Sequence, residues 1–581
     1  MAFFAEVCIC IVWSKVDEDS AQLTTFAKRK FTLKRYLKIH PEDNVAVALE
    51  QFNHGDRLVL DSKEILITEN IPVKHKITLE DLEKGDRIRM YSLTVGKAKK
   101  YIAKGTRIST ENTEHATESF NTDSKKSAWQ APDVSQYKTR TFKGYPRKDG
   151  SVGVRNYWVI LPLVFCEKRN VVIIQDALIK NLGYPGSESF TVNTTQLVDL
   201  YQSGASQQDI LEASITMSPD QLAQKRVFKN IDGIKILNHD MGCGGTRQDA
   251  LSLCRLLAGY VLNPNVAGAT VLSLGCQNAQ ISLFQEALNQ FNPGHGKQIF
   301  YFEQQKYSSE RELISDAVKH TFLGLIEADK TGRQEAALSH LRLGLECGGS
   351  DGFSGITANP ALGHASDMII ALGGTTILSE FPELCGAEQD LIDRCKKKED
   401  GEKFSQLMQT YSSRAEAVGS GFYANPSPGN IRDGLITDAM KSLGAALKGG
   451  TAPVQGVLDY TERVNENGFY LLCTPGGDVE STTAMVGSGC NLVAFTTGLG
   501  TPTGNVISPT IKISTNNLLS EKMPDIIDIN AGTIIDGVDT IQSKGAEILE
   551  YLIKVASGEA IPHAERLGQD DFIPWKRGIS L

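Results

Sequence analysis

The hydrophobic and polar positions repeat a short pattern three times between residues 31 and 115. Residues 48–60, 78–90 and 98–110 each place a glycine (Gly55, Gly85 and Gly105) before a segment in which apolar and polar residues alternate. Alternation with a period of two is typical of a half-buried strand, and glycine accepts the left-handed turn before it. The pattern predicts a small all-β domain over residues 31–115, preceded by an N-terminal extension over residues 1–30.

The pattern changes twice further along the chain. Residues 116–140 are rich in Ser, Thr, Glu, Asp and Lys with few aliphatic residues, which predicts a linker. From residue 141 onward, strand-like and helix-like segments alternate, and Ser309 and Glu312 have the spacing of a capping box at the start of a helix. We therefore expect an α/β multi-domain protein with Rossmann-like strand–loop–helix units, divided into domains over residues 141–335 and 336–581.

Six predicted strands end in similar polar tips. Residues 234–237, 270–274, 341–345, 375–378, 469–472 and 492–495 each run into Gly, Ser, Thr, Asp or Cys. Ligands of open α/β sheets bind beyond the carboxyl ends of parallel strands, and glycine lets the backbone approach a ligand closely. Tight strand-to-helix turns would explain any one tip, whereas six together predict a site for a polyhydroxy substrate.

Three of these tips carry a cysteine, namely Cys243, Cys276 and Cys347. Thiolates are good ligands for iron or zinc, and His239 lies near Cys243 in sequence. Three small buried side chains would give the same pattern, because free cysteine usually packs as a small hydrophobe. The sequence separation of the three cysteines does not decide between a shared metal site and ordinary packing.

Composition and charge narrow the class of protein. A net charge of −9 argues against nucleic-acid binding. The eleven cysteines are scattered and form no Cys-x-x-Cys pair, which favours a protein of the reducing cytoplasm. No apolar stretch is long enough to cross a membrane. The chain contains no dinucleotide fingerprint, Walker A motif, His-Glu-x-x-His or Gly-x-Ser-x-Gly.

Several unusual segments resemble the altronate and galactarate dehydratase family. Residues 345–360 (LECGGSDGFSGITANP) resemble its signature stretch, and residues 425–430 (NPSPGN) and 496–502 (TTGLGTP) are also similar to it. The small β unit with residues 40–49 resembles the family's N-terminal SAF domain, which has a β-clip fold. Residues 144–156 resemble the entry to its main domain. Residues 157–162, 380–388 and 578–581 resemble the altronate branch.

This resemblance implies a metal-dependent hydro-lyase that converts D-altronate to 2-dehydro-3-deoxy-D-gluconate in hexuronate catabolism. It implies Fe²⁺, with Mn²⁺ as an alternative, to offset charge that develops when a base removes the C2 proton. We expect Cys243, Cys276 and Cys347 to bind the metal. Glu380, His239 and Asp351 are the catalytic candidates. The substrate-binding candidates are Ser350, Gly348, Gly349, Asn425, Asn430, Thr497, His40 and His75.

Two alternatives stay open at this point. One is another lyase of the same family, acting on galactarate or a sulfonated hydroxy acid. The other is a non-catalytic sugar-acid-binding protein, because the chain has Ser109 and Glu111 where the altronate branch often carries two histidines. The sequence leaves the general base, the metal, the stereochemistry of the substrate and a homo-oligomeric state undecided.

Overall fold

The computed structural model describes residues 36–60, 63–122, 128–184, 191–192, 194–217 and 226–581. The predicted N-terminal extension over residues 1–30 lies outside the described residues. The fold class expected from the sequence is confirmed, because a strand-rich N-terminal region precedes α/β domains built on parallel sheets. In the part of the chain that the structure describes, no helix combines the length and the apolar character needed to cross a membrane.

The N-terminal region is built from short antiparallel strands. They form the sheets β1–β2–β5 and β6–β7–β8 and the pair β3–β4. Gly55, Gly85 and Gly105 all take the left-handed conformation that the repeat predicts. The third repeat differs, because Arg107 makes only an isolated bridge with Ile77 where the other repeats continue into full strands. The strands are β1 Tyr36–Leu37, β2 Val45–Ala48, β3 Arg57–Leu60, β4 Lys63–Leu66, β5 Lys76–Thr78, β6 Arg87–Met90, β7 Leu93–Ala98 and β8 Thr113–Glu114.

The described residues of the predicted linker pack against the C-terminal region. Val134 and Tyr137 are buried, and the Trp129 indole donates a hydrogen bond to the Thr451 hydroxyl at 3.1 Å. A few aromatic residues are enough to attach a mainly polar segment to an existing core. The segment is therefore docked rather than extended away from the protein.

The central region holds a four-stranded parallel sheet in the order β14–β11–β15–β16. Ser309 caps α6 as predicted, accepting a hydrogen bond from the Glu312 N–H. A small antiparallel sheet, β10–β9–β17, accompanies the parallel one. The elements are β9 Thr141–Pro146, β10 Val152–Gly153, β11 Tyr157–Pro162, α1 Lys168–Leu182, β12 Thr191–Val192, α2 Thr195–Gln202, α3 Gln207–Glu212, β13 Thr216–Met217, β14 Gly233–Ile236, α4 Arg247–Val261, β15 Val266–Ser273, α5 Ile281–Phe291, β16 Gln298–Glu303, α6 Glu310–Ala328 and β17 Gln334–Ala337.

The C-terminal region holds a seven-stranded parallel sheet in the order β20–β21–β19–β18–β22–β23–β24. Its elements are β18 Arg342–Cys347, α7 Ala358–Ala371, β19 Thr375–Leu378, α8 Glu388–Asp393, α9 Lys398–Ala417, α10 Pro428–Arg432, α11 Asp438–Ala446, β20 Val454–Leu458, β21 Phe469–Leu472, α12 Asp478–Gly487, β22 Leu492–Thr497, β23 Thr510–Ser514, α13 Asn517–Lys522, β24 Ile529–Asn530, α14 Ile541–Ser557 and α15 His563–Arg566.

The order of the strands in this sheet fixes where a ligand can bind. The first strand, β18, has the second strand β19 on one side and the later strand β22 on the other. The chain therefore reverses its direction of travel across the sheet at β18. A crevice opens beyond the carboxyl ends of the strands at such a switch point. Cys347 is the last residue of β18 and lies at this crevice.

Candidate active site

A sulfur atom and two carboxylates meet at the carboxyl end of β18. The Cys347 Sγ atom lies 3.8 Å from Glu380 Oε2 and 3.7 Å from Glu383 Oε2. One ligand atom from each of the three residues falls within 4.8 Å of the other two, and all three residues are buried. We call Cys347, Glu380 and Glu383 the thiol–carboxylate cluster.

Glu380 reaches the cluster through an uncommon backbone conformation. It follows β19 and has φ 63° and ψ 58°, in the left-handed region that a non-glycine residue seldom adopts. Its N–H donates to the Thr474 hydroxyl at 2.8 Å, and its carbonyl accepts from the Glu383 N–H at 2.7 Å. Backbone strain of this kind costs about 1–3 kcal/mol and is concentrated at functional sites. The turn brings Glu380 and Glu383 to the same crevice.

Two lysines supply positive charge to the cluster. Lys448 is buried, and its Nζ lies 2.7 Å from Cys347 Sγ and 2.9 Å from Glu380 Oε2. Lys441, on α11, donates to Glu383 Oε1 at 2.5 Å and to Asn425 Oδ1 at 2.7 Å. Both lysines lie in the segment between β19 and β20. This one connection therefore supplies positive charge to Cys347, at the end of β18, and to Glu380 and Glu383, which follow β19.

A row of side chains beneath α12 supports the cluster. Glu346, Phe495 and Lys512 lie opposite one another across β18, β22 and β23. The Ser481 hydroxyl on α12 donates to Glu346 Oε2 at 2.6 Å and pairs with the Ser379 hydroxyl at 2.7 Å. The Lys512 Nζ lies 3.3 Å from the centre of the Phe495 ring. This row places a further buried carboxylate directly behind the cluster.

Burial and neighbouring charges change the acidity of these groups. Burial and the charge of Glu380 hold the pKa of Glu346 well above its usual range, and burial and Glu383 raise that of Glu380. Burial would also raise the pKa of Glu383, but Lys441 and Lys448 outweigh it and keep that pKa low. Burial raises the pKa of the Cys347 thiol well above its usual value, although Lys448 opposes the shift.

Asp478 stands at the more exposed side of the cluster. It begins α12, and a Cβ atom at Gly348 would lie only 1.9 Å from Asp478 Oδ2. A larger residue at position 348 would displace the Asp478 carboxylate, which lies directly against the tip of β18. Burial, Glu380 and Glu383 raise the pKa of Asp478 to about 7.

The β domain contacts the same region of the C-terminal sheet. Lys74 Nζ lies 2.9 Å from Asp351 Oδ2 and 3.1 Å from Asp433 Oδ1. His75 Nε2 lies 3.0 Å from the Arg432 carbonyl, and Lys76 Nζ donates to the Gly434 carbonyl at 2.7 Å. These contacts hold the loop after β18 next to the β domain.

The structure places the catalytic candidate Asp351 and the substrate-binding candidates Ser350, Asn430 and Thr497 within this loop framework. Asp351 accepts hydrogen bonds from Phe353, Ser354 and Asn516 besides the Lys74 ion pair. Asn430 accepts a hydrogen bond from the N–H of Ser427, the N-cap residue of α10, and donates to the Ser350 carbonyl at 2.7 Å. The Thr497 hydroxyl accepts from three successive backbone N–H groups, those of Leu499, Gly500 and Thr501. Asp351, Asn430 and Thr497 therefore shape the loops, whereas Asn425 contacts the cluster directly.

His239 and His40 lie away from the thiol–carboxylate cluster. His239 is buried in the central region, where its Nε2 lies 2.8 Å from the Pro162 carbonyl and its Nδ1 accepts from the Met241 N–H. Burial lowers its pKa to about 4, so the ring is neutral and holds backbone rather than substrate. His40 Nδ1 accepts from the Glu42 N–H inside the β domain.

The structure does not bring Cys243 and Cys276 to Cys347. Both lie exposed on loops of the four-stranded central sheet, whereas Cys347 is buried on the seven-stranded sheet. The sequence predicts the same kind of cysteine-bearing tip three times, but the tips belong to two different sheets. Among the described residues, no group of three possible ligand atoms within 4.8 Å of one another joins Cys347 to Cys243 or Cys276.

Sequence reasoning missed Glu383, Lys441, Lys448 and Asp478. Glu383 lies three residues after Glu380, and Asp478 lies six residues beyond the predicted strand over residues 469–472. Lys448 carried one signal, since it is a lone charge among small and apolar residues in 445–450 (AALKGG). A charged residue in such a stretch is buried only when a partner neutralises it.

The donor set fits a divalent metal ion. A thiolate and several carboxylates suit iron, manganese or zinc, with sulfur favouring the softer ions. Glu346 Oε1 and Glu380 Oε1 are buried, and among the described residues no N–H or hydroxyl group donates to either, so the two carboxyl groups can share only a hydrogen bond with each other. A buried carboxylate oxygen without a partner is costly, and a bound cation would remove that cost. Cys347, Glu380 and Glu383 would be the ligands, with Glu346 close behind them.

The fold and the site together define a multi-domain α/β enzyme. It has a buried thiol–carboxylate site at a switch point of its C-terminal sheet, and a β domain contacts this region. Comparison with known families then identifies it. Residues 34–116 match the altronate/galactarate dehydratase SAF domain, residues 144–329 the second domain of D-galactarate dehydratase/altronate hydrolase, and residues 338–580 the C-terminal domain of D-galactarate/altronate dehydratase. The chain belongs to the D-galactarate/altronate dehydratase family and is a hydro-lyase.

Individual relatives agree with this assignment. The chain is 33% identical to an altronate dehydratase of Bacillus subtilis (strain 168) and 34% identical to one of Escherichia coli (strain K12). Each alignment covers 94% of this chain and 100% of the relative. It is also 30% identical to a galactarate dehydratase (L-threo-forming) of Escherichia coli (strain K12), over 92% of this chain and 95% of that protein.

Proposed function

We propose that this enzyme dehydrates D-altronate to 2-dehydro-3-deoxy-D-gluconate with a divalent metal ion, Fe²⁺ or alternatively Mn²⁺. The observation that carries the metal dependence is the buried thiol–carboxylate cluster, whose three ligand atoms lie within 4.8 Å of one another. The two relatives named altronate dehydratase, which match along their full lengths, support the choice of substrate.

The metal and the protein would divide the chemistry between them. A bound divalent ion at Cys347, Glu380 and Glu383 would act as a Lewis acid on the oxygens of the substrate. The C2 hydrogen of an aldonate is weakly acidic because its carboxylate is already negative, so the site must stabilise added negative charge. Lys448, fixed beside Cys347 and Glu380, provides permanent positive charge for that purpose.

We assign substrate binding and proton transfer to the residues at the exposed side of the cluster. Lys441 is the cation closest to this side, and with Asn425 it would orient the carboxylate or a hydroxyl group of a sugar acid. Asp478 would move protons, because its carboxylate lies beside Gly348 and within 4.8 Å of the carboxylates of Glu346 and Glu380. The backbone N–H groups of Gly348 and Gly349 would add hydrogen bonds to a developing oxyanion.

A dehydratase acting on galactarate is the second candidate, supported by the galactarate dehydratase relative at 30% identity. Galactarate carries a carboxylate at each end, so its second carboxylate would need a further positive group at the mouth. The presence of Ser109 and Glu111, where the altronate branch often carries two histidines, does not favour a non-catalytic protein. Glu111 is exposed, and the Ser109 N–H donates to Asn112 within a turn of the β domain.

Keto-acid formation from a panel of hexonates and galactarate tests the substrate. Protein loaded anaerobically with Fe²⁺ is compared with chelator-treated protein. We expect metal-dependent turnover of D-altronate at a higher kcat/KM than any other acid. Turnover of galactarate alone would reassign the substrate within the family, and equal turnover after chelation would overturn the metal dependence.

A further inference from the structure

The central sheet has a switch point of its own. Its first strand, β11, lies between β14 and β15, so the chain leaves β11 in one direction and returns on its other side. The loops that follow these three strands therefore meet at one edge of the sheet. This is the position where open α/β sheets bind ligands, and the proposed dehydration does not use it.

Each of these three loops carries one exposed free cysteine. Cys166 follows β11, Cys243 follows β14 and Cys276 follows β15. The other free cysteines that the structure describes are all buried: Cys254, Cys347, Cys385, Cys395, Cys473 and Cys490. Free cysteine is among the residues most often buried, so three exposed thiols at one edge need a reason.

Backbone contacts hold the three loops together. The Phe165 N–H donates to the Met241 carbonyl at 3.0 Å, which joins the loop of Cys166 to that of Cys243. The Asn278 N–H donates to the Gly242 carbonyl at 3.0 Å, which joins the loop of Cys276 to the same place. Every one of the three cysteines is within two residues of these contacts.

Gly242 allows the loops to approach this closely. It has φ 102°, which favours glycine, and a Cβ atom there would lie 2.1 Å from the Leu163 carbonyl oxygen. His239 reinforces the arrangement, because its two ring nitrogens connect the end of β11 to the tip after β14 through Pro162 and Met241. His239 is a positioning residue for the three loops.

We propose that Cys166, Cys243 and Cys276 bind an iron–sulfur cluster, at a site separate from the thiol–carboxylate cluster. A single zinc ion with Zn–S bonds near 2.3 Å would need thiolates about 3.8 Å apart. Among the described residues, no group of three ligand atoms within 4.8 Å of one another includes these thiols. A cluster of several iron and sulfide ions spans a wider set of thiolates and is held by cysteine.

The neighbouring backbone suits such a ligand. Gly244 and Gly245 lie in the loop of Cys243, where their backbone N–H groups can donate hydrogen bonds to cluster sulfurs, whereas the Gly275 N–H already donates to Gln277 Oε1 at 2.7 Å. Three cysteine thiolates leave one coordination position of a four-iron cluster without a protein thiolate. On binding, the three thiols release their protons to water, and a [4Fe–4S]²⁺ cluster takes up two ferrous ions, two ferric ions and four sulfide ions, so no oxidant is needed when both forms of iron are supplied.

Anaerobic reconstitution of the full-length protein with iron and sulfide tests the proposal. We expect broad visible absorption, with acid-labile sulfide matched by an equal amount of iron beyond the one ion that the thiol–carboxylate cluster would hold. Cys166→Ser, Cys243→Ser and Cys276→Ser should each lose most of that absorption and sulfide. Cys347→Ser is the matched control and should keep both, so failure of this proposal is distinguishable from failure of the proposed dehydration.

A second measurement does not depend on the variants folding. Alkylation of the wild-type thiols, mapped by mass spectrometry, should label all three cysteines before reconstitution and none after it. Two results would overturn the proposal: binding of one zinc ion without sulfide, or sulfide binding that leaves Cys166, Cys243 and Cys276 open to alkylation.

Discussion

The ammonium of Lys448 lies 2.7 Å from the sulfur of Cys347, and both side chains are almost completely buried. The lysine lies two residues beyond the end of α11 and the cysteine at the end of β18, 101 residues earlier. Acidic neighbours hold the pKa of Lys448 well above its usual value despite burial, so it stays charged. Lys448 would therefore supply a counter-charge to Cys347 when metal binding removes the proton of the thiol.

Replacing Lys448 with Met should destabilise the metal-free protein. The change leaves buried acidic groups without their cation. Removing one partner of a buried ion pair lowers the free energy of unfolding by about 3–5 kcal/mol. Urea unfolding measures the free energy of unfolding, with Lys397→Met, an exposed lysine, as the control. Loading with Fe²⁺ should recover part of the loss. A loss as small as that of Lys397→Met would contradict the role of Lys448.

Replacing Lys74 with Ala should loosen the β domain from the C-terminal region. It removes ion pairs of 2.9 and 3.1 Å to Asp351 and Asp433, and hydrogen bonds to charged groups contribute about 1.5–3 kcal/mol each. Limited proteolysis should cut the variant faster, and turnover should fall because the loop after β18 loses its support. The exposed Lys84→Ala in the same domain serves as the control, and equal behaviour of the two variants would disprove the docking role.

Much of the fold could be predicted because periodicity and glycine positions are local properties. The predicted strands over residues 375–378 and 469–472 agree with β19 and β21, and the glycines of the β repeats take the predicted conformation. The partition of the tips between two sheets could not be predicted. Strand order depends on long-range packing, which the pattern around Cys243 or Cys347 does not contain.

The site was predictable only where a strand tip marked it. Cys347 and Glu380 follow strands, so the rule about carboxyl ends found them. Lys441 and Lys448 lie on a helix and just beyond it, and nothing local separates them from surface lysines. The left-handed backbone of Glu380 also has no sequence signal, because such a conformation is imposed by its surroundings.

The pair of Arg155 and Glu565 predicts a pH dependence of stability. The guanidinium contacts the carboxylate through two bonds of 2.7 and 2.8 Å. Burial would raise the pKa of Glu565, but Arg155 outweighs it and lowers that pKa below 4.5. This stabilisation is therefore fully present above the unfolded-state pKa and is lost as pH falls through the lower folded-state value.

Glu565→Gln tests that dependence. The variant should unfold more easily at neutral pH, and its free energy of unfolding should fall less steeply than that of the wild type as pH is lowered below about 4.5. Denaturant titrations at several pH values measure both effects. Parallel curves for the two proteins would show that Glu565 does not contribute to acid sensitivity.

Replacing Asp478 with Asn should reduce kcat with little effect on KM. The amide has the same shape but cannot accept a proton, and a general acid–base group contributes roughly 10²–10⁴-fold to rate. Steady-state kinetics on D-altronate measure the two constants. Glu480→Gln, two residues further along α12, is the control and should retain activity. A raised KM with unchanged kcat would assign Asp478 to binding instead.

Metal content measured together with turnover for Cys347→Ser tests the central claim most directly. If Cys347, Glu380 and Glu383 hold the catalytic metal, the variant should bind far less Fe²⁺ after anaerobic loading and lose dehydratase activity in proportion. Cys254→Ser, a buried cysteine of the central region, should keep both. A Cys347→Ser protein that retains full metal content and full turnover would contradict the account.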